Sequence, residues 1–185
     1  MCWLEGFKQR STTDIDIALT HFIHIGWVKN ISTSILTFDI VLFFPLLNHQ
    51  LLPWILNKWS FDPKVLLFFQ NYLVGRKTKY LWNSFSFFFF VVDIRVGQGS
   101  ALSPILSALY LALIFHIFEK RIKNLKIPIS ILLFVDDGIF ISQNKSLVIA
   151  NANLSCSYNI ISSLLEKFRL TIEYEKTEVF YFSRS

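Results

Sequence analysis

The chain has 185 residues, is 53% hydrophobic with 20 Phe, and carries a formal net charge of +5. That is enough apolar material for one domain with its own core and too much for a disordered chain. A balance this mildly basic admits an acidic polymer or an anionic surface as partner without requiring one. Two cysteines, Cys2 and Cys156, rule out a disulfide framework, and the four histidines show no zinc spacing with them. A reducing, intracellular compartment, nucleus or cytoplasm, fits this usage. The opening "MCWLEGFKQRSTTD" has no basic region followed by an uninterrupted apolar core, so no secretory signal is expected.

In chain order, "STSILTFDI" (32–40) is rich in β-branched and aromatic residues and reads as a strand ending near Asp39. Pro45 and Pro53 then limit helix to short pieces, and Asp62 followed by Pro63 opens a helix to about Tyr72. Residues 78–96, which include the aromatic run "FSFFFFVV", read as strands or a hairpin. Ser103 and Pro104 start a helix that runs to roughly Asn124. Two strands, 129–135 and 138–142, are joined by a tip at Asp136, Asp137 and Gly138. A helix over 146–168 and final strands over 170–182 complete an α+β alternation.

Residues 101–118 carry no charge, a length at the lower edge for a membrane span. Pro104 and His116 interrupt that run, and a central helix buried against a sheet better suits a chain whose next apolar segment contains two aspartates. A small membrane protein is therefore one alternative, although no membrane is expected.

Asp136 and Asp137 stand side by side in the apolar stretch "ILLFVDDGIF". Burying one unpaired carboxylate is costly and a second beside it is worse, so the pair needs either a solvent-exposed turn or a bound cation. A second strand ending in an aspartate, such as Asp39, is what such a hairpin would need to hold divalent metal. Two hard cations there would activate an attacking hydroxyl and clamp phosphoryl oxygens.

The order of strand-Asp39, "GQGSALSP" (97–104), "FVDD" (134–137) and "EKTEVF" (175–180), with "QRSTTD" at 9–14, resembles the palm of reverse transcriptases, most closely those of fungal non-LTR retrotransposons. The resemblance covers nearly the whole chain. It implies a palm-like antiparallel sheet backed by helices, with part of the fingers and no thumb or endonuclease region, over residues 1–185. It implies RNA-directed DNA polymerase activity, with magnesium or manganese as cofactor and an RNA template, a DNA primer and deoxynucleoside triphosphates as partners. Asp39, Asp136 and Asp137 become the metal-binding carboxylates, Asp39 and Asp136 foremost, and Lys176 the lysine near the triphosphate. Phe44 corresponds to the aromatic beneath the nucleotide sugar, whereas without the resemblance it reads as plain core phenylalanine. Gln98, Gly99 and Ser100 match the loop lining nucleotide and template, and Arg10 the fingers contact to triphosphate. Arg76, Lys77 and Lys79 suit phosphate-backbone contact. Lys176 also fits an edge-strand charge that discourages aggregation.

The chain departs from the family pattern at Arg95 and Arg169, where glycines are usual, and it lacks the asparagine shortly before Lys176. A catalytically inactive, truncated remnant of the same domain is therefore the second reading.

Overall fold

The computed structural model describes residues 2–5, 12–41, 51–75, 77–79, 81–82, 85–86, 88, 90–91, 102–134 and 136–183. They fall into two compact units, Met1–Val41 with Leu111–Ser185, and Leu42–Tyr110.

The first unit is built on a five-stranded sheet, β1 (Cys2–Glu5), β7 (Ser130–Phe134), β8 (Asp137–Asn144), β2 (Ser32–Asp39) and β9 (Glu178–Phe182), in that spatial order. Only β1 runs parallel to its neighbour, and the remaining pairs are antiparallel. The β2·β8 ladder runs unbroken from Ser32↔Asn144 to Asp39↔Asp137.

Because strand side chains alternate, this register divides the sheet into two faces. Ile35, Leu132 and Ile141 form a buried cluster on one face, against which Ile15, Ala18, Leu19, Phe22 and Ile23 of helix α1 (Thr12–Val28) pack. Those five recur at helical spacing, so the apolar stripe is present in the sequence, and Asp14 stands in the first turn ahead of it. Gly26 lets α1 lie close to β2, since a Cβ there would collide with the Thr33 hydroxyl. Gln143 adds a polar tie, donating from Nε2 to the Phe22 carbonyl (2.7 Å) and to Thr33 Oγ1 (3.1 Å).

The opposite face carries Phe38 and Phe140, with ring centroids 5.0 Å apart. Phe118 of helix α4 (Ser103–Asn124) stacks nearly parallel on Phe140 at 5.2 Å. This packing sets the last residue of the charge-free run, Phe118, against the sheet that carries the aspartates. Leu111, Ile114, Phe115 and Phe118 are all buried. Among the described residues no helix is long and apolar enough to cross a membrane. Helix α5 (Leu147–Lys167) covers the same face, with Asn153 Nδ2 3.3 Å from Ser142 Oγ.

The second unit contains helices α2 (Leu51–Lys58) and α3 (Pro63–Leu73) and two short ladders, β3 (Lys77–Thr78) with β6 (Phe90–Val91) and β4 (Leu81–Trp82) with β5 (Phe85–Ser86). The strands expected over 78–96 are thus present as two-residue pairs as far as Val91, and residues 92–96 lie outside the described residues. Asp62 caps α3 by accepting from the Lys64 amide at 2.7 Å, with Pro63 in the first turn, as its sequence signals indicated.

Four helices end in the same local motif. Asn30, Ser60, Lys126 and Arg169 each sit in the left-handed region, with φ of 51°, 57°, 56° and 60°. In each case the next amide reaches back to a carbonyl five residues earlier, as in Ile31 to Gly26 (2.9 Å) and Leu170 to Leu165 (2.9 Å). This is the Schellman arrangement, in which glycine is the usual occupant. The arginine at 169, a departure from the family at sequence level, therefore stands where the backbone itself favours glycine.

Candidate functional site

The site lies at one end of the central strand pair. Asp39 is the last residue of β2 and Asp137 the first of β8, and they are direct Cα partners. Alternation places both side chains on the α1 face of the sheet. Asp137 already belongs to the strand, paired with Phe134, where the sequence had placed it in the hairpin tip, while Asp136 stays in the turn.

Backbone bonds brace this end from both sides. The Ile40 amide donates to the Asp136 carbonyl (3.1 Å), Val41 to Thr171 (2.9 Å), and Glu173 to the carbonyl of Asp39 (2.8 Å). Gly138, opposite Phe38 in the ladder, allows the Phe38 ring to lie over it, where any Cβ would strike the ring. Asp39 and Asp137 are thus set on braced strand ends, and Asp136 is held in the turn by its carbonyl.

Lys176 was expected on a late strand. It sits instead in the 3₁₀ turn Tyr174–Lys176, ahead of β9, because the segment after Ile172 bends to pair with Asp39. From there its Nζ reaches Asp39 Oδ2 at 2.5 Å. β9 is the sheet edge, and Lys176 does not stand on it.

Electrostatically the end is crowded with negative charge. Burial raises the Asp136 carboxyl above the usual carboxylate range, with Asp39 adding repulsion. Burial also raises Asp137, and repulsion from Asp136 and Asp39 adds to it, while Lys176 opposes the shift. Hydrogen bonding to Asp39 raises the Lys176 ammonium in turn. A cavity of about 540 Å³ opens here, lined by Thr37, Asp39, Phe134, Asp137 and Lys176, with Ile15 and Asp16 contributed by α1. Asp16 and Glu175 line it too and were missed from sequence, Asp16 because α1 itself was not assigned.

Among the described residues, no three His, Cys, Asp or Glu side chains converge as a ready metal cage. The donor chemistry nonetheless suits a hard divalent cation. Three carboxylates stand at and beside adjoining strand ends, and two of them are pushed toward neutrality, chiefly by burial and then by repulsion from their neighbours.

Arg10, Phe44, Arg76, Gln98, Gly99 and Ser100 lie outside the described residues. Lys77 and Lys79 are exposed residues of the second unit.

The chain matches the family described as reverse transcriptase (RNA-dependent DNA polymerase) over residues 5–184. It belongs to that family. No curated protein matches it. Solved structures do. Apo telomerase from Candida tropicalis, truncated from the C-terminal domain, aligns with a TM-score of 0.69 at 16% identity, over 95% of this chain and 36% of that one. Telomerase from the same organism in complex with a TWJ fragment of telomeric RNA gives 0.71 at 17%, over 93% and 30%. Telomerase from Candida albicans in the equivalent complex gives 0.61 at 15%, over 92% and 31%. At such identities the likeness concerns the fold, and this reverse transcriptase chain spans about a third of the length of those chains. The mixed α+β architecture, an antiparallel sheet flanked by helices, is the palm-like fold that the sequence resemblance implied.

Proposed function

We propose that the chain is the palm, with part of the fingers, of an RNA-directed DNA polymerase that adds deoxynucleotides to a primer 3′-hydroxyl. The observation that carries this reading is the direct pairing of Asp39 with Asp137 at the ends of β2 and β8, with Asp136 in the adjoining turn and Lys176 beside them. Asp39, Asp136 and Asp137 would hold magnesium or manganese, which supplies activation of the hydroxyl and charge neutralisation on the phosphates. Lys176, already at the mouth of the cavity, offers its ammonium to the leaving pyrophosphate. Phe44 is assigned beneath the sugar, Gln98, Gly99 and Ser100 to nucleotide and template, and Arg10 to the triphosphate. Arg76, Lys77 and Lys79 are assigned to template and primer backbone. The order of these motifs favours an origin in a fungal non-LTR retrotransposon.

A second reading, a catalytically silent remnant of the same domain, is favoured by one feature of the site. Lys176 occupies Asp39, and among the described residues the carboxylates do not close on one point as a metal cage. Primer extension on poly(rA)/oligo(dT) with magnesium or manganese separates the two. Extension that disappears in Asp136→Asn supports the polymerase, whereas a folded parent chain that extends nothing supports the remnant.

A further inference from the structure

Away from the aspartates, the α2–α3 hairpin has a surface that the proposed chemistry does not use. Helix α2 buries Leu52, Ile55 and Leu56, at 1%, 0% and 0% exposure, and turns Trp54 and Lys58 outward. These two are four residues apart and share a helix face. The Lys58 ammonium lies 5.5 Å from the centroid of the Trp54 ring. Trp59 follows at once, in the turn closed by left-handed Ser60, and it too is exposed. Helix α3 repeats the pattern with Lys64 and Phe68, again four residues apart and both exposed.

The charge of this stretch is mostly of one sign. The described ionisable side chains of residues 51–91 include Lys58, Lys64, Lys77 and Lys79, against Asp62 alone as a carboxylate. Asp62 is already engaged in capping α3. Exposed rings, one of them with an ammonium over its face, on a stretch rich in lysine match a ligand that alternates planar apolar groups with negative charges. Single-stranded nucleic acid has that form: bases stack on aromatic faces while phosphates pair with lysine. An anionic membrane suits the surface less well. Insertion needs a continuous apolar face; here the aliphatic face of α2 is buried, its exposed rings are separated by Asn57 and Lys58, and the exposed Leu67 and Phe68 of α3 are bounded by Lys64 and Asn71.

We infer that the α2–α3 hairpin is a single-stranded nucleic-acid contact surface, with Trp54 and Trp59 as stacking platforms and Lys58 and Lys64 as phosphate partners. It is separate from the aspartate site and holds whether or not that site turns over nucleotide.

The test is fluorescence anisotropy of labelled oligouridylate and oligothymidylate of about 20 nucleotides, with the full chain and without metal or nucleotide. Replacing both tryptophans, Trp54→Ala with Trp59→Ala, is expected to weaken binding on the order of tenfold or more. Trp54→Phe with Trp59→Phe should keep most of it, because the stacking face remains. Lys58→Gln with Lys64→Gln should flatten the logarithmic salt dependence by about 0.7 for each phosphate that is no longer neutralised. Similar losses on both oligomers indicate stacking that ignores the sugar, and a loss on one alone assigns the surface to that strand type. The inference is overturned if the alanine pair binds like the parent, if the phenylalanine pair falls as far as the alanine pair, or if phosphatidylserine vesicles are bound in preference to either oligomer. Should the alanine pair melt early, the phenylalanine and glutamine pairs decide the matter. A chain that extends no primer yet loses oligonucleotide in the alanine pair keeps this inference and sinks the polymerase reading.

Discussion

Lys176 and Asp39 are joined twice. The lysine ammonium lies 2.5 Å from the aspartate carboxylate, and the 3₁₀ turn carrying it begins just after Glu173, whose amide donates to the Asp39 carbonyl at 2.8 Å. The lysine side chain is 65% exposed and the aspartate 17%, so the lysine can swing into solvent while the largely buried carboxylate it leaves needs another cation in its place.

The ammonium therefore competes with any cation for the same carboxylate. Lys176→Met is expected to tighten manganese binding by the isolated chain severalfold, as followed by the electron paramagnetic resonance of free manganese, while lowering any primer extension. Unchanged or weaker manganese binding would show that the two do not compete.

Asp136 and Asp137 have raised pKa values in the folded chain, so the fold binds their protons more tightly than the unfolded chain does. Their contribution is thus fully favourable below about pH 4, the ordinary aspartate range, and is lost as pH climbs through the raised values. Thermal melts of Asp136→Asn with Asp137→Asn should gain on the parent as pH rises across that window, and then level off. Metal affinity of the parent should rise over the same interval, because cation and proton compete for the same oxygens.

Gly138 is the residue on which Phe38 rests. Gly138→Ala forces the ring aside and with it the strand end bearing Asp39. A drop of about 1–3 kcal/mol in denaturant stability is expected, the usual cost of overpacking, together with loss of any activity. A stable, unperturbed alanine variant would show that the Phe38 ring has room to move.

The left-handed helix ends offer the opposite change. Ser60→Gly, Lys126→Gly and Arg169→Gly each relieve a side chain held at φ near 60°. Each should stabilise by roughly 0.5–1 kcal/mol after allowing for glycine's larger entropy loss on folding. Asn30→Gly is the comparison, since asparagine tolerates this region, and it should be close to neutral. Denaturant midpoints with unchanged slope would report these gains cleanly.

Local chemistry was enough to determine several elements of this protein. Ser103 with Pro104 marked the start of α4, and Asp62 with Pro63 that of α3, because capping and proline geometry act within one helical turn. Apolar runs flanking the two aspartates marked the β7–β8 hairpin, and the order of motifs marked the family. What the local signals did not decide was partnership. Whether Asp39 faces Asp136 or Asp137 depends on the register of β2 against β8, and a slip of one residue would move every side chain to the other face. Likewise α1 has its stripe in the sequence, but only the sheet gives it something to cover. Lys176 left its expected strand because the backbone beyond α5 pairs with Asp39 and bends there. Arg169 stood out in the sequence only as a departure from the family's glycine, and the bond from Leu170 back to Leu165 shows why a glycine suits the position. Each of these outcomes is an interaction made by backbone once the chain has closed on itself, so it leaves little trace in side-chain type.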